Sequence, residues 1–275
     1  MENQDKNLNK SKANSKEKRK FPIVGVGSSA GGLEALKELF SNMPSDSGIG
    51  FVLIQHLDPS HESTIAELIT RYTDMEVIVI QDEMPVKQNK VYVIPPNKEL
   101  GIKDGVLILT KPLEPHGFRR PIDLFFQSLA KDQEENAFGI ILSGFGSDGT
   151  KGLAAIKSAG GMIIAQDPTS ASSDGMPSSA IATDLVDYVA PPEKIPQYLT
   201  SYVQRIGKKP PIKLIGKDEK ALTSRQKILI LVKNRTGHDF SLYKESTINR
   251  RIGRRMAVLQ MENISEYLEY IKKKS

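Results

Sequence analysis

The sequence predicts an α/β protein: a doubly wound, mostly parallel sheet with helices on both faces and an added antiparallel hairpin, followed by a small all-α module. Three observations carry that expectation. Short apolar runs alternate with stretches of helical periodicity from Phe21 to about residue 205, the pattern of parallel strands joined by crossover helices. Two of those runs end in glycine- and serine-rich turns just before a helix begins. Beyond residue 220 the periodicity is helical throughout.

Residues 1–20 hold almost nothing apolar and are expected to form a disordered, lysine-rich tail. Residues 21–205 form the main domain. Its first strand, 22–26, turns sharply into a helix over 32–41 marked by Leu33, Leu36, Leu39 and Phe40. Further strands are predicted near 51–55, 77–80, 138–142, 162–165 and 186–189, and helices near 61–71, 121–131, 150–159, 177–182 and 192–205. The β-like runs 91–96, 99–102 and 105–110, joined by Pro-Pro-Asn and Lys-Asp-Gly turns, read as the antiparallel hairpin. Residues 206–220 are charged and proline-bearing, as in a linker. Residues 221–275 form the helical module, with Thr223 capping a helix over 224–234, a second helix over 245–259 and a third at or near Ser265.

A chain of 275 residues with 39% hydrophobic content has room for one large and one small domain. It has no cysteine, which excludes disulfides, thiolate metal sites and cysteine nucleophiles. No apolar run approaches the roughly 18 residues that span a bilayer. The first 20 residues lack the apolar segment of a secretory signal, so a cytoplasmic protein without membrane insertion is expected. Charge is segregated. Residues 1–20 carry 7 basic and 3 acidic side chains, residues 21–204 carry 13 and 23, and residues 205–275 carry 18 and 7. That asymmetry argues for modules with different partners and against a uniformly basic nucleic-acid binder.

The turn Gly27-Ser-Ser29-Ala30-Gly31 fits the G-x-S-x-G nucleophile elbow. The overlapping Gly25-Val-Gly27-Ser-Ser-Ala30 fits the dinucleotide fingerprint G-x-G-x-x-G/A, which wants an acid at the end of the second strand. That strand ends instead in Gln55-His56, and a histidine suits a serine partner better than a ribose. The chain has 4 histidines. His238 lies in the basic module, His116 in a loop beside two arginines and His61 at a helix start. His56 stands at the strand edge where open sheets bind ligands, which makes it the candidate base. For an orienting carboxylate, the run 140–149 ends a buried strand in a glycine-rich turn that carries Asp148, with capping of the next helix as its alternative role.

Gly27-Ser-Ser29-Ala-Gly-Gly, Gln55-His56, Leu142-Ser-Gly-Phe-Gly-Ser-Asp148-Gly and Asp174-Gly-Met-Pro-Ser-Ser-Ala-Ile resemble, in order and spacing, the signature turns of CheB-type chemoreceptor methylesterases. The resemblance covers about residues 21–204. It implies Ser29 as nucleophile, His56 as general base and Asp148 as orienting carboxylate. It further implies an oxyanion hole of backbone amides, placed at Ala30 and Phe145, and a loop near the active site carrying Met176. No cofactor is expected. The implied substrates are γ-methyl-glutamyl esters on the cytoplasmic helices of methyl-accepting chemoreceptors, with deamidation of glutamine as a second activity. Residues 231–256 resemble the N-terminal helical subdomain of CheR-type methyltransferases, so the chain looks like the front of a CheB–CheR fusion. With only a short lysine-rich tail ahead of Phe21, and with the sequence stopping before any S-adenosylmethionine domain, neither receiver control nor methyl transfer is expected of these residues.

In the helix over 245–259, Ile248, Ile252, Met256 and Leu259 form an apolar stripe, while Arg250, Arg251 and Arg254 point elsewhere. They are read either as a solvated face or as a surface for acidic receptor helices. No aromatic residues are interleaved among them, which argues against nucleic acid. A non-catalytic adaptor that docks on receptor or kinase helices is the second functional reading, and a nucleotide-binding protein the third.

Overall fold

The computed structural model describes residues 21–55, 65–112, 114–115, 119–207, 219–240 and 243–273. Among the described residues there are ten strands: β1 (Ile23–Ser28), β2 (Gly50–Gln55), β3 (Glu76–Val79), β4 (Met84–Pro85), β5 (Lys90–Val93), β6 (Glu99–Lys103), β7 (Val106–Thr110), β8 (Ala137–Ile141), β9 (Met162–Gln166) and β10 (Tyr188–Ala190). The α-helices are α1 (Gly32–Ser41), α2 (Ile65–Thr70), α3 (Pro121–Gln133), α4 (Thr150–Ala159), α5 (Gly175–Ile181), α6 (Ile195–Gly207), α7 (Glu219–Thr236), α8 (Glu245–Val258) and α9 (Ile264–Lys273).

Seven strands form one sheet in the order β10-β9-β8-β1-β2-β5-β3, and each neighbouring pair is parallel. All six residues of β1 are buried, as a strand covered on both faces requires. Val24 and Val26 face the layer made by α1 and α6, and Ile23 faces the layer made by α3, α4 and α5. On that second face β1 carries Gly25 and Gly27, where a Cβ would meet the Phe126 ring and the Ile122 side chain. These two glycines let α3 lie close against the strand. That packing role removes the main support for the dinucleotide reading. Successive strands run outward from β1 through β2 on one side and from β8 through β9 on the other, so β1 and β8 flank the topological switch point. In open sheets, ligands bind at the carboxyl ends of such strands.

The hairpin expectation needs correction. The run 91–96 is not part of it: β5 pairs in parallel with both β2 and β3. Val91, Tyr92 and Val93 are at most 2% exposed, as an interior strand demands. The true hairpin is β6–β7, which with β4 makes a separate three-stranded antiparallel sheet. Leu100, Ile102 and Leu107 cover the α3 side of the core from there.

The helical module closes over Ile228, Ile248, Ile252, Met256, Ile264 and Leu268. Helix α7 starts at Glu219, so Thr223 lies inside it and is not its cap. Helix α8 ends at Val258, leaving the predicted stripe residue Leu259 as its C-cap. The same helix also belongs to the larger body, because Ala257 and Val258 join the core that contains Tyr202 and Leu199. The Tyr188 hydroxyl donates to the Val258 carbonyl. No helix among the described residues is long and apolar enough to cross a membrane.

Candidate active site

Strand β1 leaves the sheet at Ser28, which is 1% exposed. Ser29 is the first residue beyond it and is half-buried. Its amide donates to the Ser143 carbonyl (2.9 Å), and its carbonyl accepts from Gly32 (2.9 Å). Gly31, with φ of 73°, occupies the left-handed conformation that starts α1. The Ser29 turn is thereby tied to the turn after β8. Ser143, fully buried, completes the tie: its hydroxyl donates to the Ala30 carbonyl (2.8 Å) and accepts from the Ser173 amide (3.0 Å). Buried Gln166 accepts from the Ser143 amide (2.8 Å) and donates to the Ser170 carbonyl (3.0 Å). Sequence reasoning missed Ser143 and Gln166, whose partners are distant in the chain.

The two turns touch at Gly144. A Cβ there would overlap the Met176 sulfur and come within 2.9 Å of the Ser29 Cβ. Gly144→Ala is therefore expected to displace Ser29 and lower any serine-dependent turnover by about 10²-fold, as small misplacements of reacting groups do. A variant that keeps the parent kcat would show that Ser29 does not depend on this contact. Met176 is fully buried, and its amide donates to the Gly144 carbonyl (2.8 Å). Its side chain supports the turn from beneath. The amides of Ala30 and Phe145 donate to no acceptor among the described residues. Phe145 is 73% exposed.

Asp148 is 6% exposed. Its Oδ2 accepts from the Ile122 amide (3.1 Å), and its Oδ1 accepts from the amides of Asp123 (3.1 Å) and Gly149 (2.8 Å). Asp148 caps the start of α3, whose first turn carries Pro121, and not the next helix as the capping alternative had it; Gly149, the N-cap residue of α4, has no side chain to offer. His56, His61 and His116 lie outside the described residues. The register pairs Ser28 with Gln55.

Asp123 is a further buried carboxylate, 3% exposed, that no sequence signal singled out. Burial first, and then the charge of Asp148, raise its pKa above the ordinary 3.8, against the Gly152 amide and Arg120, which lower it. A raised carboxyl pKa favours the native state below that ordinary value, and the benefit is lost as pH rises through the raised one. Asp123→Asn is expected to remove this decline. Urea midpoints of the two proteins should coincide in acid and separate towards neutral pH, with the variant the more stable. Parallel pH profiles would overturn the assignment.

Of the three arginines read as a solvated face or a receptor surface, Arg250 and Arg254 reach the larger body. Arg254 donates to Asn136 and to the Glu135 carbonyl (3.4 Å), and its guanidinium lies 5.5 Å from the Tyr202 ring centre. Arg250 pairs with Glu135 at 3.5 Å. Arg251 is exposed on the rim of a cavity of about 320 Å³ between α8 and the end of α4. Arg255, not singled out from sequence, reaches Asp187 (2.8 Å), as does Lys157 (2.6 Å). Glu135, Asn136, Gly161 and Asp187 precede β8, β9 and β10, so this contact lies at the sheet edge opposite Ser29.

The fold and the serine turn define a doubly wound α/β domain of the kind that presents a reactive side chain at its switch point, joined to a small all-α module. Residues 24–199 match the CheB methylesterase family, and the chain belongs to it. Residues 224–275 match the CheR methyltransferase all-alpha domain. An uncharacterized 104.1 kDa protein of Rhodobacter capsulatus is 34% identical over 227 residues, covering 75% of this chain and 24% of its own length. A protein-glutamate methylesterase/protein-glutamine glutaminase of Pyrococcus horikoshii is 33% identical over 187 residues, 66% of this chain and 51% of that protein. The chain thus spans about a quarter of the first relative and half of the second. The crystal structure of the Thermotoga maritima CheB methylesterase catalytic domain superposes with a TM-score of 0.62 at 32% identity, covering 66% of this chain and 97% of that one.

Proposed function

We propose that this chain is a serine hydrolase that removes methyl esters from glutamate side chains of chemoreceptor helices and deamidates glutamine at equivalent positions. The placement of Ser29 carries the reading. It is a half-buried residue at the switch point, its turn is held by Ser143, and the amides of Ala30 and Phe145, unengaged among the described residues, belong to the two turns that meet there. In this scheme the Ser29 Oγ attacks the ester carbonyl carbon while His56 takes the hydroxyl proton. The resulting oxyanion lies against the amides of Ala30 and Phe145, where one such donor is typically worth about 10² to 10³ in rate. His56 returns the proton to the departing methoxide, releasing methanol. Water, deprotonated by His56, then frees the glutamate carboxyl group. Asp148 stabilises the imidazolium formed in each half.

The domain boundaries that accompany this reading are the methylesterase domain at 21–205, a linker at 206–220 and the helical module at 221–275. The test is methanol release from methylated receptor fragments by the whole chain. Release that depends on Ser29 supports the hydrolase. Binding of the fragments without release would favour the adaptor.

A further inference from the structure

Asp123 has no step in the hydrolysis scheme, yet it is built into the frame of Asp148. Its amide donates to the Asp148 Oδ1 (3.1 Å), and its own Oδ1 accepts from the Gly152 amide (2.8 Å) in the first turn of α4. The carboxylate before α4 therefore holds the start of α3, and a carboxylate in α3 holds the start of α4. Each helix end supplies the cap of the other. A Cβ on Gly152 would meet the Asp123 backbone, so the two helices meet closely at this point. The second oxygen of Asp123 is buried and has no hydrogen-bond partner among the described residues. The charged groups facing it are Arg120, 3.9 Å away on the approach to α3, and Asp148 from the turn before α4. A buried, half-satisfied carboxylate is costly, and a surface linkage between two helices would not need one.

We propose that Asp123 is a positioning residue for Asp148, clamping α3 to α4 so that the amides of Ile122, Asp123 and Gly149 hold the Asp148 carboxylate in one orientation. The inference rests on the reading of His56 as the partner of Asp148. Because the amide of Gly152 needs only an acceptor oxygen, asparagine can replace Asp123 in this role, whereas alanine cannot.

The test is an NMR titration of the His56 imidazole in the full chain, read alongside methanol release. Asp148→Asn should lower the proton affinity of His56 about tenfold, as loss of a carboxylate neighbour does. Asp123→Ala should move it in the same direction and reduce kcat about tenfold with KM unchanged, because a mis-aimed Asp148 stabilises the imidazolium less. Asp123→Asn should restore both. If Asp123→Ala does not fold, Asp123→Ser, which cannot reach the Gly152 amide, takes its place. A lowered melting temperature with an unmoved His56 titration would reduce Asp123 to a structural residue and overturn the proposal, as would failure of asparagine to restore it. An unmoved His56 in Asp148→Asn is a different failure, that of the triad itself, and the positioning role falls with it.

Discussion

Ser29→Ala is expected to remove methanol release almost entirely, by about 10⁶-fold in kcat if the nucleophile acts as it does in other serine hydrolases. Its neighbour gives the control. Ser28 is 1% exposed, closes β1 and packs where a Cβ on Gly32 would lie, 2.8 Å from its hydroxyl oxygen. Its hydroxyl faces the start of α1 and has no route to a substrate. Ser28→Ala should therefore cost less than tenfold in kcat and appear mainly as a small change in stability. Single-turnover measurements on one methylated fragment decide the matter. A dead Ser28→Ala with an active Ser29→Ala would shift the nucleophile by one residue, and equal losses in both would point to collapse of the turn.

The second large effect is on stability. The Asp187 side chain is 1% exposed and receives both Lys157 (2.6 Å) and Arg255 (2.8 Å), while its other oxygen accepts from the Ile163 amide (3.0 Å). Removing one partner of a buried ion pair leaves the others desolvated without compensation, at about 3 to 5 kcal/mol. Asp187→Ala is expected to lose stability in that range by urea denaturation, far more than Lys37→Ala, whose pair with Glu34 is exposed to solvent. Because Asp187 lies at the opposite edge of the sheet from Ser29, kcat of the folded fraction should be unchanged. A loss below about 1 kcal/mol would mean that water already reaches the three charges.

Most of the sheet was legible in the sequence, because strands buried on both faces read as continuous apolar runs and the helices between them keep their period. The run at 91–96 was misread because Pro95 and Pro96 look like a hairpin turn, whereas they end an interior strand. The start of α7 was hidden because its first residues are charged and resemble a linker. At the site, the turns bearing Ser29 and Asp148 were evident from glycine placed between strand and helix. What each side chain touches was not. Asp148 caps a helix that begins 27 residues before it, Met176 sinks beneath Gly144, and Arg254 turns back onto Asn136. Asp123 and Gln166 gave no signal, since a polar residue in a helix or strand ordinarily reads as solvent-facing. Tertiary pairing over long separations is the common factor.

Helix α8 contributes Ile252 and Met256 to one core and Ala257 and Val258 to the other. A helix owned by two cores cannot leave one without disturbing its fit in the other. Heating should accordingly produce one heat-absorption peak, its calorimetric and van't Hoff enthalpies equal, in place of the two peaks of independently melting modules.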